Sequence, residues 1–139
     1  MNRILFILPI VFLACTSPEE QEAENLSQLR DSLTTKIMAV HDDVMPKHME
    51  IQMLKKKAEE QLQTLADDSL AAAQMTYLRN LLDSAYRSMN TWMYEYEPLS
   101  EDMTREEILD YYRVEIEKVE AVRDLMLESL QEASDKLAE

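Results

Sequence analysis

Glycine is absent from this chain of 139 residues, and cysteine and tryptophan each occur once. Phosphate-binding loops, dinucleotide fingerprints and nucleophile elbows need glycine, for positive φ angles or for close backbone approach. The sequence therefore excludes these sites. Segments with alternating polarity are also missing, and runs of β-branched residues are few, which argues against a β-sheet. An all-α protein is predicted.

Basic residues are scarce as well: 14 lysines and arginines stand against 28 acidic residues, for a net charge of −14. Such a chain is repelled by nucleic acid and by anionic lipid headgroups, so we expect no nucleic-acid partner. Lys55–Lys57 is the only basic run. It is interpreted as a solvated turn of a helix.

The N-terminus has the pattern of an export signal. Arg3 precedes a continuous apolar run from Ile4 to Ala14, and Cys15 follows. The run is shorter than the roughly 20 apolar residues that a membrane-spanning helix needs. A basic start, a short apolar core and a small residue before the cleavage point are typical of a secretory signal.

Cys15 is the only cysteine, whereas an exported protein with disulfides would carry an even number. Phe12-Leu13-Ala14-Cys15 resembles the lipobox of bacterial lipoproteins, which implies cleavage before Cys15 and a lipid on its thiol. The alternative is an ordinary signal peptide followed by a chance cysteine. The predicted divisions are a signal peptide at 1–14, the lipidated cysteine with an acidic tether at 15–24, and a helical domain at 25–139. Acidic residues after the cysteine resemble the surface-export signal of Bacteroidota lipoproteins.

Apolar residues at steps of three and four predict three helices, arranged as an antiparallel three-helix bundle of coiled-coil-like hairpins. The stripes run from Leu26 to Leu65, from Ala71 to Tyr96 and from Ile108 to Leu137. Pro46 should bend the first helix, because proline removes a backbone hydrogen bond. Thr104 and Glu107 have the spacing of a capping box at the start of the third helix.

Folding the chain at the two connections predicts which residues lie side by side. A turn near Asp67 places Met89 beside Pro46, and a turn near Ser100 places Tyr112 beside Met89 and Ile108 beside Met93. This arrangement leaves one stretch of the first stripe uncovered: Leu26, Leu29, Leu33 and Ile37. Either the connection at 97–103 covers it, or a second copy or another envelope protein does.

Both histidines lie in one segment, where His41, Met45 and His48 share a flank of the first helix at spacings of four and three. Glu115 falls inside the third apolar stripe, so it requires a polar partner, and either histidine or a tyrosine hydroxyl is predicted to supply one. One interpretation is a copper or zinc site formed by these four residues. The other is a buried polar network that fixes the helix register. The surrounding layer is predicted to contain Met89, Trp92, Met93 and Tyr112.

Three segments resemble a group of small Bacteroidota lipoproteins of unknown function, some of which carry the label "viral A-type inclusion protein". The segments are His41-Asp42-Asp43-Val44-Met45-Pro46-Lys47, Leu54-Lys55-Lys56 and Met89-Asn90-Thr91-Trp92-Met93-Tyr94-Glu95-Tyr96-Glu97-Pro98. The resemblance implies a helical lipoprotein and no particular activity.

We therefore expect a protein without enzymatic activity, held in the cell envelope by its lipid, with the outer membrane as its location, at the periplasmic face or the cell surface. Its expected function is to bind or scaffold a partner, or to inhibit one. The alternative is metal binding by the 41–48 segment.

Overall fold

The computed structural model describes residues 17–65, 69–97, 99 and 102–137, and these form a helical bundle without strands. The helices are α1 (Pro18–Val44), α2 (His48–Thr64), α3 (Ser69–Glu95) and α4 (Arg105–Leu137), with a 3-10 turn at Met45–Lys47 between the first two. The predicted all-α class is confirmed. Cys15 and the apolar run before it lie outside the described residues. Within the described part of the chain, no helix has the length and apolar character needed to cross a membrane.

The first arm of the bundle consists of α1, the 3-10 turn and α2 in continuous succession. Pro46 lies in the turn, and its missing N–H explains why the α-helical hydrogen bonding is interrupted where the sequence predicts a bend. Val44 and Ile51, on either side of the turn, are both fully buried. The apolar face therefore continues across the interruption.

α1 begins at Pro18, well before the domain boundary predicted from the stripe. Ser17 caps it: the Ser17 Oγ accepts from the Glu20 N–H at 3.2 Å, and the Ser17 N–H donates to the Glu20 carboxylate at 2.8 Å. The backbone hydrogen bond from Ser17 lowers the pKa of Glu20. A serine cap followed by proline at the first helical position is a strong start signal. From Pro18 onward, the segment predicted as an acidic tether is helical and exposed.

α3 packs antiparallel to the first arm in the predicted register. His48 stacks on Tyr86, and the Lys55 Nζ donates to the Asp83 carboxylate at 2.8 Å. Six buried residues form the inward face of α3: Met75, Leu78, Leu82, Ala85, Met89 and Trp92. The contacts of His48 with Tyr86 and of Lys55 with Asp83 are thus consistent with the predicted pairing of α3 with the first arm.

The predicted alignment of α3 with α4 is wrong by almost two helical turns. Trp92, which should lie beside residue 109, instead donates a hydrogen bond to Glu115, six residues further along. Tyr96 likewise lies against Tyr111. α4 therefore starts beyond the end of α3.

This displacement covers the stripe that the sequence analysis leaves exposed. Ile37 is fully buried, and Leu26, Leu29 and Leu33 are half-buried against the core of their own chain. α4 runs alongside the first arm. Near its start, the Tyr112 hydroxyl is hydrogen-bonded to Thr34, and at its end the Leu137 carbonyl accepts from Lys57. The described part of the 97–103 connection also contributes, as one of the predicted alternatives has it: Leu99 and Met103 pack against the core, and the Met103 carbonyl accepts from Arg30 at 3.5 Å.

Candidate functional site

Glu115 is the buried carboxylate at the centre of the predicted site, with only 4% of its surface exposed. Its Oε2 accepts from the Trp92 indole Nε1–H at 3.1 Å, and its Oε1 accepts from the Lys118 Nζ at 2.7 Å. The predicted burial of Glu115 is confirmed. The partners differ from the histidines and tyrosines that the sequence suggested, because the shifted α4 brings Glu115 level with Trp92.

Lys118 contacts Glu115, and the sequence analysis did not single it out. It stands three residues after Glu115 on the same helix, a spacing at which side chains meet, so this spacing was a usable signal. The hydrogen bond and the charge of Glu115 raise the pKa of Lys118. Half of the Lys118 side chain remains exposed. A buried carboxylate therefore holds an accessible ammonium group in place.

The two histidines lie in different surroundings. The His41 Nδ1 is 2.8 Å from the Asp42 carboxylate, and the His41 ring lies tilted against Trp92 with 5.8 Å between centroids. His48 is buried, stacks on Tyr86 at 4.2 Å and places its Nε2 3.3 Å from the Tyr86 carbonyl oxygen. Since a carbonyl only accepts, the Nε2 of His48 carries the proton.

The predicted metal ligands do not come together as one centre in the described part of the chain. No group of three or more His, Cys, Asp or Glu side chains there could hold a metal ion, and no hydrogen bond joins Glu115 to either histidine. Met45 lies half-buried in the 3-10 turn. The arrangement agrees better with the alternative interpretation, in which polar side chains fix the packing of the helices.

Of the predicted surrounding layer, Met89, Trp92 and Tyr112 are buried, whereas Met93 is 36% exposed. Met93 follows the buried Trp92 by one residue, about 100° around α3, so its side chain leaves the face that packs against α4.

Aromatic rings extend from Trp92 along the α3–α4 contact. Trp92 stacks on Tyr96 at 5.3 Å, Tyr96 lies 6.4 Å from Tyr111, and Tyr111 meets Tyr112 edge to face at 5.4 Å. The Tyr111 hydroxyl donates to the Glu97 carbonyl at 2.6 Å. Burial, and then the nearby charge of Glu115, raises the pKa of Tyr111 to about 12. Burial also raises the pKa of Tyr96.

Thr34 completes this layer from the first arm. Its hydroxyl lies 2.7 Å from the Tyr112 hydroxyl, so α1 and α4 are joined by a polar contact beside the ring cluster. The sequence analysis did not single out Thr34, because a threonine beside an apolar stripe carries no distinctive pattern.

Comparisons of this chain with models of known protein families, with curated protein sequences and with solved structures find no match. Its function is therefore argued from its own residues.

Proposed function

We propose that this chain is a lipid-anchored protein of the cell envelope that binds or scaffolds a partner. The observation that carries the proposal is the position of Cys15, the only cysteine, directly after Ala14 at the end of a short apolar run. A thiol at that point suits lipid attachment. Stable anchoring needs more than one acyl chain, which a diacylglycerol provides.

The start of α1 supports this proposal. Its capping box is formed by Ser17, two residues after Cys15. A lipid on Cys15 would therefore be joined to a helix almost directly. The first arm, from Pro18 to Thr64, spans about 70 Å at the rise of an α-helix. A rod of this length would extend its side surfaces well away from the membrane.

Exposed apolar side chains on the bundle offer contacts for a partner. Met49 and Met53 lie on successive turns of α2 and are 61% and 64% exposed, and Tyr94 near the end of α3 is 89% exposed. Methionine adapts to irregular surfaces and is common where proteins bind several partners. These side chains favour binding over a purely space-filling role.

Membrane fractionation of a Cys15→Ser variant tests the anchor. The unchanged chain should sediment with membranes and incorporate labelled fatty acid, and the variant should do neither. Thr16→Ser is the matched control, because it alters the neighbouring residue and leaves the thiol intact. Equal labelling of the Cys15→Ser variant would overturn the proposal.

Copper or zinc binding by the 41–48 segment is the second candidate. It rests on the spacing of His41 and Met45, which stand one helical turn apart, since His48 and Glu115 do not join them. Calorimetric titration with copper(I) and zinc at neutral pH distinguishes the two functions. Stoichiometric binding that disappears in a His41→Gln, Met45→Leu double variant selects the metal site, and its absence leaves the partner-binding protein.

A further inference from the structure

α3 and α4 border a shallow, open surface groove of about 450 Å³ that the proposed function does not use. Its α3 wall carries three hydroxyl side chains, Ser84, Ser88 and Thr91, at spacings of four and three residues. These spacings place them on one face of the helix. Trp92, Ala121 and Val122 provide the apolar part of the lining. The groove therefore combines a row of small polar groups with an apolar part.

Two cations lie across this groove from each other, in a protein that is otherwise strongly acidic. Lys118, on α4, is held by Glu115. Arg87, on α3, uses its Nε to contact the Asp83 carboxylate at 2.9 Å, and 76% of its side chain is exposed. Most of the guanidinium group and part of the ammonium group are thus accessible to an anion.

A carboxylate lies at the other end of the groove. Glu95 ends α3 and is exposed, eight residues after Arg87. The contact between Trp92 and Glu115 places Lys118 between these two levels. From the helical rise, the cationic and anionic ends are about 10 Å apart along the groove. Asp83 and Glu115 neutralise part of the positive charge, so a ligand with one charge of each sign fits better than a simple anion.

These features point to one class of ligand. An extended peptide of three residues is about 10 Å long, and its free ends carry a carboxylate and an ammonium group. Hydroxyl groups both donate and accept, as pairing with peptide N–H and C=O groups requires. Trp92 is only 5% exposed, so it offers little ring surface on which a sugar could stack.

We propose that the α3–α4 groove binds a short extended peptide with free ends. Its carboxylate lies between Arg87 and Lys118, and its ammonium group lies at Glu95. The hydroxyls of α3 contact the peptide backbone between the two ends. The site does not depend on lipidation of Cys15, so it can be tested independently of the proposed anchor.

Trialanine is the probe, and the indole N–H of Trp92 is the reporter. Because Trp92 is the only tryptophan, it gives a single indole cross-peak in a nitrogen–proton NMR spectrum. Titration of the full chain in nonionic detergent with trialanine should shift this peak with saturation. N-acetyl-trialanine and trialanine amide should each bind about tenfold more weakly, as expected for the loss of one charge-assisted hydrogen bond.

Substitutions of two exposed residues, Arg87 and Glu95, test where the two ends of the peptide bind. Arg87→Gln should reduce the difference between trialanine and its amide, because Lys118 remains, and Glu95→Gln should abolish the difference between trialanine and its N-acetyl form. Arg113→Gln is the matched control, since Arg113 is 62% exposed on α4 and lies outside this groove. Equal binding of all three peptides, no shift of the indole peak, or an equal effect of Arg113→Gln would each overturn the proposal.

Discussion

Replacing Glu115 with glutamine removes the buried negative charge and changes the side-chain shape very little. The amide oxygen can accept from only one of the two donors, Trp92 or Lys118, and the amide N–H₂ group then faces the other. A hydrogen bond to a charged group contributes about 1.5–3 kcal/mol. The Lys118 contact is half-exposed and is screened, so it adds less than about 1 kcal/mol. We expect Glu115→Gln to lower the free energy of unfolding by about 2–3 kcal/mol.

Urea unfolding followed by far-ultraviolet circular dichroism measures this loss. A difference of 2 kcal/mol should also lower the melting temperature by roughly 6–10 °C for a domain of this size. Because the Trp92 contact is buried, most of the loss should persist in 0.5 M salt, a concentration at which surface ion pairs are largely screened.

Glu117→Gln is the matched control, since Glu117 lies two residues away on α4 with a 67% exposed side chain in an ion pair with Arg113. It should change the stability by less than about 0.5 kcal/mol. A double-mutant cycle with Trp92→Phe should recover a coupling energy of at least about 1 kcal/mol between Trp92 and Glu115. If Glu115→Gln were no more destabilising than Glu117→Gln, the buried carboxylate would not organise this layer.

Three further predictions concern the cap of α4, the aromatic layer and the first half of α1. Thr104→Ala removes the cap of α4 and should cost about 1 kcal/mol in urea unfolding. Since the folded pKa of Tyr111 is raised to about 12, its contribution to stability is complete below pH 10 and is lost as the pH rises to 12, so thermal melts should show a steeper alkaline loss than those of Tyr111→Phe. Leu26→Ser with Leu29→Ser should destabilise the bundle by about 2 kcal/mol without changing the sedimentation of the protein, because both leucines pack on their own chain.

Each of these has a contrary outcome. An unchanged stability of Thr104→Ala would mean that the first turn of α4 frays regardless of its cap. Identical alkaline profiles for the two proteins would mean that Tyr111 ionises like a solvated tyrosine. A dimer that dissociates when Leu26 and Leu29 are changed would restore the association that the sequence analysis proposed for this stripe.

The sequence predicts the helices well because each has a direct local cause. The capping box at Thr104 and Glu107 is present, with the Thr104 N–H donating to the Glu107 carboxylate at 2.9 Å. Pro46 interrupts the first arm as expected. The capping box of Ser17 and Glu20 has an equally direct sequence pattern, whereas the acidic composition of the same segment favours a tether.

The alignment of α4 could not be predicted in the same way. Its register depends on how far the connection after Glu95 runs before it turns, and no residue pattern states that distance. The observed register has two consequences. Glu115 accepts a hydrogen bond from Trp92. Leu26, Leu29 and Leu33 pack against the core of their own chain. Burial of Glu115 was still predictable, because the helical period alone places it inside the apolar stripe.

Mass spectrometry of the N-terminal peptide of the chain, purified from bacterial membranes, tests the central claim most directly. The account predicts that the peptide begins at Cys15 and carries the added mass of a diacylglycerol on its thiol. A peptide that begins at Met1, or one that begins at Cys15 with an unmodified thiol, would contradict it.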